Sequence, residues 1–277
     1  MTDYDFNADF MAAPLGPFIE AHKQLAWDGR VTEDMDPEGT FFSLVDDPTL
    51  GRCCRMRYPA GSHGMEHQFY QIRIKSPQTV ANVSYDFMFE AGFDIAPPNE
   101  QKTGGGKIPV AINWGEIGGA TELRGTRAMW WYNGQGSNYQ KTKFSPVCQD
   151  QRSGEGKVRP VVYSDNIELD RIYKFELQIM GGDNGFANYW LDGQPLGSVP
   201  PQHLQVTATD DVIFDFAFFA GGGAEQAPRW DSYARLGNVR CYSGERRAPG
   251  PAPGGEIVLE AGSYTLSASG RIIITPT

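Results

Sequence analysis

Four side chains in this sequence could hold and work on an anion: Lys107, Arg127, Tyr139 and Lys141. They fall in successive segments, GGGKIPVAINW (104–114), GTRAMWWYNGQG (125–136) and the run Asn138-Tyr139-Gln140-Lys141. A guanidinium grips a carboxylate through two parallel hydrogen bonds. A Lys or Tyr can move a proton once its pKa is drawn down, by burial for Lys or by neighbouring cations for either. Aromatic side chains in the same segments offer flat faces to sugar rings. The set suits an anionic sugar, with Arg127 as carboxylate clamp, Lys107 or Tyr139 as base, and Tyr139 or Lys141 as acid. Gln68, Tyr70, Asn113 and Lys143 are placed to add sugar contacts, and Lys143 alternates with Lys141 and Tyr139 on one strand face. Structural roles compete with each assignment. Lys107 also fits a solvated strand edge, Arg127 an ion pair with Glu116 or Glu122, and Tyr139 a half-buried strand position.

Strands must carry these residues. In VANVSYDFMFE (80–90), Val83, Tyr85, Phe87 and Phe89 alternate with Ser84, Asp86, Met88 and Glu90, a period of two. The same pattern runs through RCCRMRYP (52–59), EHQFYQIRI (66–74), KIPVAINW, TRAMWWY (126–132), SNYQKTKF (137–144), KVRPVVY (157–163), YKFELQIM (173–180), NYWLD (188–192), VIFDFAFFAG (212–221) and WDSYARLGNVRCY (230–242). Phe214, Phe216 and Phe218 share one side of their strand. Trp130, Trp131 and Tyr132 alternate, so the core takes at least one of them. Gly193-Gln194 and Gly181-Gly182-Asp183-Asn184-Gly185 read as turns. About a dozen strands with little helical pattern predict an all-β fold, an antiparallel β-sandwich of jelly-roll type with a concave sugar-binding face.

Residues 1–40 read as an irregular acidic segment with one short helix over 17–26, and 41–243 as the jelly-roll body. Residues 244–256, GERRAPGPAPGGE, form a Pro/Gly linker. The last stretch, 257–277, has a two-strand pattern too short to build its own core. It is expected to anchor the chain or join copies of it, so the chain is expected to be a homo-oligomer or fixed to a larger particle through residues 245–277.

The formal charge of −10, without a long basic run, argues against nucleic-acid binding by a broad basic face. A polysaccharide acid would need a local basic cleft instead. No stretch approaches the ~18 apolar residues of a membrane span. The N-terminal MTDYDFNADFMAAPLGPF lacks the basic and apolar regions of a secretory signal, which predicts synthesis in the cytoplasm. Cys53, Cys54, Cys148 and Cys241 form no CxxC pair and read as free buried thiols, with one bridge involving Cys148 left open. His63 and His67 lie by a turn rather than on a helix face, and 181–185 lacks the ligands of a calcium loop. No metal and no cofactor is expected; phosphate-cradling loops and Gly-x-Ser-x-Gly elbows are missing from the sequence.

From Arg55-Met56-Arg57-Tyr58-Pro59-Ala60-Gly61-Ser62 to about Tyr242, the body resembles polysaccharide lyase family 14, the alginate and glucuronan lyase jelly rolls. The resemblance rests on VSYDFMFEAGFD (83–94), GGKIP (105–109), TRAMWW (126–131), GQGSNY (134–139), YWLDGQPL (189–196) and APRWDSYARLGNV (227–239). It implies that Lys107 lines the cleft and that Arg127 is the Arg of a Ser-x-Arg pair, with Gly125 where the Ser would be. It further implies that Tyr139 opens a Tyr-x-Tyr pair whose second member is replaced by Lys141. The implied partner is a polyuronate or an anionic capsule polysaccharide. The implied function is recognition of such a polymer, with β-elimination by an active lyase as the alternative. The segment EIVLEAGSYTLSASGRIIITPT (256–277) resembles small β tags on virion proteins of bacteriophages and gene transfer agents. That resemblance implies a head spike or fibre of a phage-like particle, released by lysis, that serves host-cell attachment.

Overall fold

The alternation along the chain becomes a two-faced sheet wherever one face finds a partner to bury it. The computed structural model describes residues 4–63, 68–74, 79–95, 104–114, 124–132, 142–150, 156–158, 164–204, 211–221, 227–246, 264–266 and 272–274. In chain order the elements are β1 (Asp5–Asn7), β2 (Gly16–Pro17), α1 (Glu20–Ala26), β3 (Val31–Asp34), β4 (Phe42–Asp47), β5 (Gly51–Tyr58), β6 (Tyr70–Ile74), β7 (Val80–Phe89), β8 (Gly104–Lys107), β9 (Ala111–Trp114) and β10 (Arg124–Tyr132). They continue with β11 (Thr142–Asp150), β12 (Gly156–Val158), β13 (Tyr173–Met180), β14 (Gly182–Leu191), β15 (Gln194–Leu204), β16 (Val212–Asp215), β17 (Phe219–Gly221), β18 (Ser232–Ser243), β19 (Tyr264–Leu266) and β20 (Ile272–Ile274).

Two antiparallel sheets form a sandwich of jelly-roll type. The first runs β15-β14-β13-β7-β18-β5-β4-β2, with β1 added on β18. The second runs β12-β11-β10-β9-β16-β6-β3, and β8 pairs with both β10 and β17. Aromatic rings fill the space between them. Phe42 of the first sheet meets Tyr70 of the second at 5.1 Å and Phe218 at 5.1 Å, and Phe144 meets Phe175 at 4.8 Å. Such edge-to-face pairs contribute about 0.5–1.5 kcal/mol each beyond their buried area. Phe214, Phe216 and Phe218 all enter this core, as their shared parity predicts. Trp130 does too, while the side chains of Trp131 and Tyr132 lie outside the described residues.

One expectation changes. The N-terminal segment supplies sheet strands: β1 pairs with β18, β2 with β4 and β3 with β6. Lys23 of α1, wholly buried, bonds both oxygens of Asp34 at 2.8 and 2.9 Å and ties the helix to that layer. The run 181–185, read as a turn, joins the paired ends Met180 and Phe186 of the β13–β14 hairpin, and its Gly182 and Gly185 also pair with β15, with register shifts between Gly182, Gly185 and Ala187. Strand β15 follows the turn and includes Pro200 and Pro201. Proline argues against a central strand, yet β15 sits at the sheet edge, where a missing donor costs little.

The chain divides into two compact units, Met1–Arg246 and Arg247–Thr277. The first unit therefore reaches past residue 243. Arg246 bonds both oxygens of Glu176 at 2.9 and 2.8 Å and lies over the Trp190 ring. Within the second unit, β19 pairs antiparallel with β20. All four cysteines are buried and none is in a disulfide. Cys54 faces the core, its neighbour Cys53 the other side against Leu50 and Gly237, and burial pushes the Cys53 thiol up to about 12. Among the described residues no helix is long and apolar enough to cross a membrane.

Candidate functional site

Strand parity decides which side chains of the second sheet can meet a ligand. On β10, Thr126, Ala128 and Trp130 turn inward. Thr126 Oγ1 meets the hydroxyl of Tyr189 at 2.5 Å, and Trp130 packs on Tyr58, Phe89 and Phe93. Gly125, Arg127 and Met129 therefore face outward. The same reasoning puts Asn113 and Ala111 of β9 outward, opposite the core residues Ile112 and Trp114. On β16 it puts Ile213 and Asp215 outward, opposite Val212 and Phe214. Lys107 of β8 pairs with Met129 on one side and Phe219 on the other, so it shares this face.

The inner layer fixes these strands in place. Tyr58 of the first sheet donates across the core to the Lys107 carbonyl at 3.1 Å. A Cβ at Gly106 would stand 2.0 Å from the Trp130 ring. Only glycine lets that indole pass beneath β8 and hold Lys107 at its register. The Lys107 ammonium sits 4.1 Å from the centre of the Phe219 ring, a cation–π contact.

Arg127 is the centre of the group. Asn113 pairs with Gly125 and Thr126 with Ile112; Ala111 in turn pairs with Asp215. Continuing this register, Ala111 lies between Arg127 and Asp215, and its small side chain lets the guanidinium lie across β9. Arg127 Nη2 reaches Asp215 Oδ2 at 3.4 Å, and the Ala217 amide donates to Asp215 Oδ1 at 3.1 Å. The pair is buried, at 9% and 3% side-chain exposure. The 3.4 Å contact is long for a charge-assisted bond. Burial pushes the Asp215 carboxyl up, against the pull of Arg127, the Ala217 amide and Lys107. Burial likewise lowers the Arg127 pKa against Asp215, although a guanidinium stays charged in proteins. Two cations thus face one carboxylate.

Among the described residues of β9 and β10, two donors on this face have no hydrogen-bond partner: Arg127 Nη1 and Asn113 Nδ2, both withdrawn from solvent. A buried donor left unpaired costs about 1–3 kcal/mol. Both belong to one outward patch of β9 and β10.

The structure brings together three of the expected residues, Lys107, Arg127 and Asn113. Lys143 shares their face on β11, opposite Trp131. Val147, four residues along β11, is the residue opposite Arg127, which sets Lys143 about 13 Å further along the strand. Tyr70 is a correction. It is wholly buried, its ring stacks on Phe216 at 4.4 Å, and its hydroxyl meets Trp27 Nε1 at 3.2 Å. The phenylalanine-lined core claims it because its parity matches Ile72 rather than Gln71 and Arg73. Gln68 is also buried, at 2% exposure, and its backbone carbonyl accepts the Phe218 amide. Tyr139 and Lys141 lie outside the described residues, as do Glu116 and Glu122. The partner that sequence reading missed is Asp215, 88 positions from Arg127. Its signal was a lone carboxylate inside the apolar run VIFDFAFF.

No protein-family model and no curated protein sequence matches the chain. Solved structures do match. Alginate lyase Aly36B superposes with a TM-score of 0.67 at 15% identity, over 86% of this chain and 96% of its own. The PL-14 alginate lyase from Aplysia kurodai gives 0.58 at 16% identity, over 88% and 100%. Alginate lyase vAL-1 from Chlorella virus gives 0.50 at 11%, over 72% and 88%. This chain has the fold of the alginate lyases. A variant of Aly36B was solved in complex with an alginate tetrasaccharide. In this chain the alginate-lyase fold carries Lys107, Arg127 and Asn113 on one outward face of its second sheet.

Proposed function

We propose that this protein binds a uronic-acid polysaccharide on the outward face of its second sheet, with a uronate carboxylate at Arg127. The observation that carries this reading is the half-used guanidinium. Asp215 takes Nη2 only, at long range, while Nη1 is buried and unpaired. Lys107 adds a second positive charge to the same face of a chain whose net charge is −10. Such a local excess draws an acidic polymer to one place and leaves the rest of the surface repelling it.

A second reading, cleavage of that polymer by β-elimination, is favoured by the position of Lys107, registered two residues from Arg127 along β10. In that reaction Arg127 stabilises the charge spreading onto the carboxylate as the C5 proton leaves. A base takes that proton, the C4–O4 bond breaks, a C4–C5 double bond forms, and an acid protonates the departing oxygen. One preorganised donor of this kind contributes about 3 kcal/mol. Lys107 is the candidate base, with Tyr139 or Lys141 as acid.

The role as a spike or fibre that grips an anionic capsule belongs to the same proposal. Its support is that residues 247–277 form a unit of their own, suited to anchoring or joining copies, which raises avidity without new contacts. A deletion of 247–277 that leaves oligomer size and particle association unaltered would sink this role.

The test of binding is calorimetric titration with alginate and with the same alginate after its carboxyls are reduced to alcohols. The expected result is binding of the first and loss of affinity for the second. Ultraviolet absorbance of the mixture reads the unsaturated product, so binding with a flat absorbance identifies recognition and rising absorbance identifies a lyase. No binding of either polymer defeats the proposal.

A further inference from the structure

We infer that Asn113 is the second half of the carboxylate site, and that Gly125 is glycine so that Asn113 can occupy it. The inference rests on the reading of Arg127 as a uronate clamp and assigns that clamp a specificity-determining partner.

The geometry begins at the β9–β10 ladder, where Asn113 and Gly125 are directly opposite. Opposed side chains on one face of an antiparallel pair ordinarily stand side by side. Here one of them is missing. A Cβ at residue 125 would lie 2.1 Å from the Ile112 carbonyl oxygen and 2.2 Å from Asn113 Oδ1. The Asn113 carboxamide therefore lies over β10 in the space that a side chain at 125 would fill. With Oδ1 set against Gly125, Nδ2 is the end of the amide left to donate. Nδ2 has no partner and is withdrawn from solvent, and Asn113 as a whole is 3% exposed.

Arg127 follows Gly125 by two residues on the same face, about 6.6 Å along the strand. Its Nη2 is committed to Asp215, which leaves Nη1 as its unpaired donor. A carboxylate has two oxygens, each able to accept from a different donor. A planar anion placed between Nη1 and Nδ2 satisfies both, and each oxygen meets one donor. An alcohol at the same carbon is one oxygen short. Nor does a neutral sugar match the positive charge of Arg127 and Lys107. The arrangement thus selects uronates over neutral hexoses, and Asp215 contributes by occupying Nη2, which leaves Nη1 as the donor still open.

The experiment uses the full chain and alginate oligosaccharides, intact and carboxyl-reduced. Asn113→Ala removes the donor and leaves no new buried polar group, so the fold is expected to survive. Affinity for intact oligosaccharide should fall about ten- to hundred-fold, the effect of losing a hydrogen bond to a charged group. Affinity for the reduced oligosaccharide, weak from the start, should be unchanged. Asn113→Asp keeps the shape and should fall further, because it sets a negative charge against the ligand's own. Gly125→Ala should also lose affinity although it deletes no donor, because its methyl would meet the Asn113 amide and the Ile112 carbonyl alike and force both to shift. An Asn113→Ala protein that binds intact oligosaccharide as the parent does overturns this inference and leaves the Arg127 clamp standing. A parent that binds no intact oligosaccharide overturns both.

Discussion

The two outward faces of the sandwich use arginine in opposite ways. On the first sheet, Arg55 bonds both oxygens of Glu90 at 2.7 and 2.8 Å, Arg235 bonds Glu90 at 2.8 Å and also Asp47, and Asn238 donates to Asp86 at 2.7 Å. Asp47 also accepts the amides of Thr49 and Leu50 at 2.7 Å each. Despite burial, the carboxyls of Glu90 and Asp47 are held below their ordinary values by these partners. On the second sheet, Arg127 has one long contact and one idle donor, and its carboxylate partner is pushed up instead. A network whose members are satisfied rigidifies a sheet and has nothing left to offer a ligand. A network short of acceptors is stable only to the extent that the fold imposes it, and an arriving carboxylate completes it. The difference separates a structural face from a binding face on one protein.

That contrast breaks most visibly at Arg127. Arg127→Ala should weaken alginate binding by about a hundred-fold or more, since it removes the charged donor of the clamp. Its cost in stability should stay below the ~3–5 kcal/mol usual for breaking a buried pair, because the Arg127–Asp215 contact is long, at 3.4 Å. Urea unfolding of the variant checks this. A binding loss without a matching stability loss is the expected pattern.

Arg235→Ala should show the reverse. It takes one of two arginines from Glu90 and leaves Asp47 with its backbone amides, at a cost of about 1–3 kcal/mol in stability. Alginate affinity should be the parent's. Urea midpoints and calorimetry on the same samples read both quantities. A binding loss in Arg235→Ala equal to that in Arg127→Ala erases the distinction between the faces.

Acid sharpens the comparison more gently. Glu90 and Asp47 have folded pKa values below their ordinary 4.5 and 3.8. The stability they contribute is therefore present above those ordinary values and lost as pH falls through them toward the depressed ones. Asp215 has the opposite sign: its folded pKa lies above 3.8, so it favours the folded state more as pH falls through its raised value. Glu90→Gln should flatten the loss of stability below about pH 4.5, while Asp215→Asn should leave that limb in place. Thermal melts across the acid range measure both slopes.

Much of this was legible in the residues. The period of two from Val80 to Phe89 and from Val212 to Phe218 gives both the strands and their buried faces, because an apolar stripe has to be covered. Lys107, Arg127 and Asn113 were legible as candidates because a charge or amide on a strand of aromatics is conspicuous. Tyr70 was misread because a tyrosine suits the core and a cleft equally well, and only the parity relative to Ile72 decides between them. Asp215 and the role of Gly125 were out of reach for a different reason. They depend on which strands become neighbours, and the order β10-β9-β16 joins segments about a hundred residues apart. The glycine at which the chain departs from the Ser-x-Arg pattern gains a physical account from that order, since Asn113 lies where a side chain would be.

Backbone hydrogen exchange of the full chain, with and without saturating alginate, tests most directly which face is the binding face. The account predicts added protection concentrated in β8, β9, β10 and β16, around Lys107, Asn113, Arg127 and Asp215, with β5, β7 and β18 unchanged. Protection that instead gathers on β5 and β18, around Arg55 and Arg235, would contradict it.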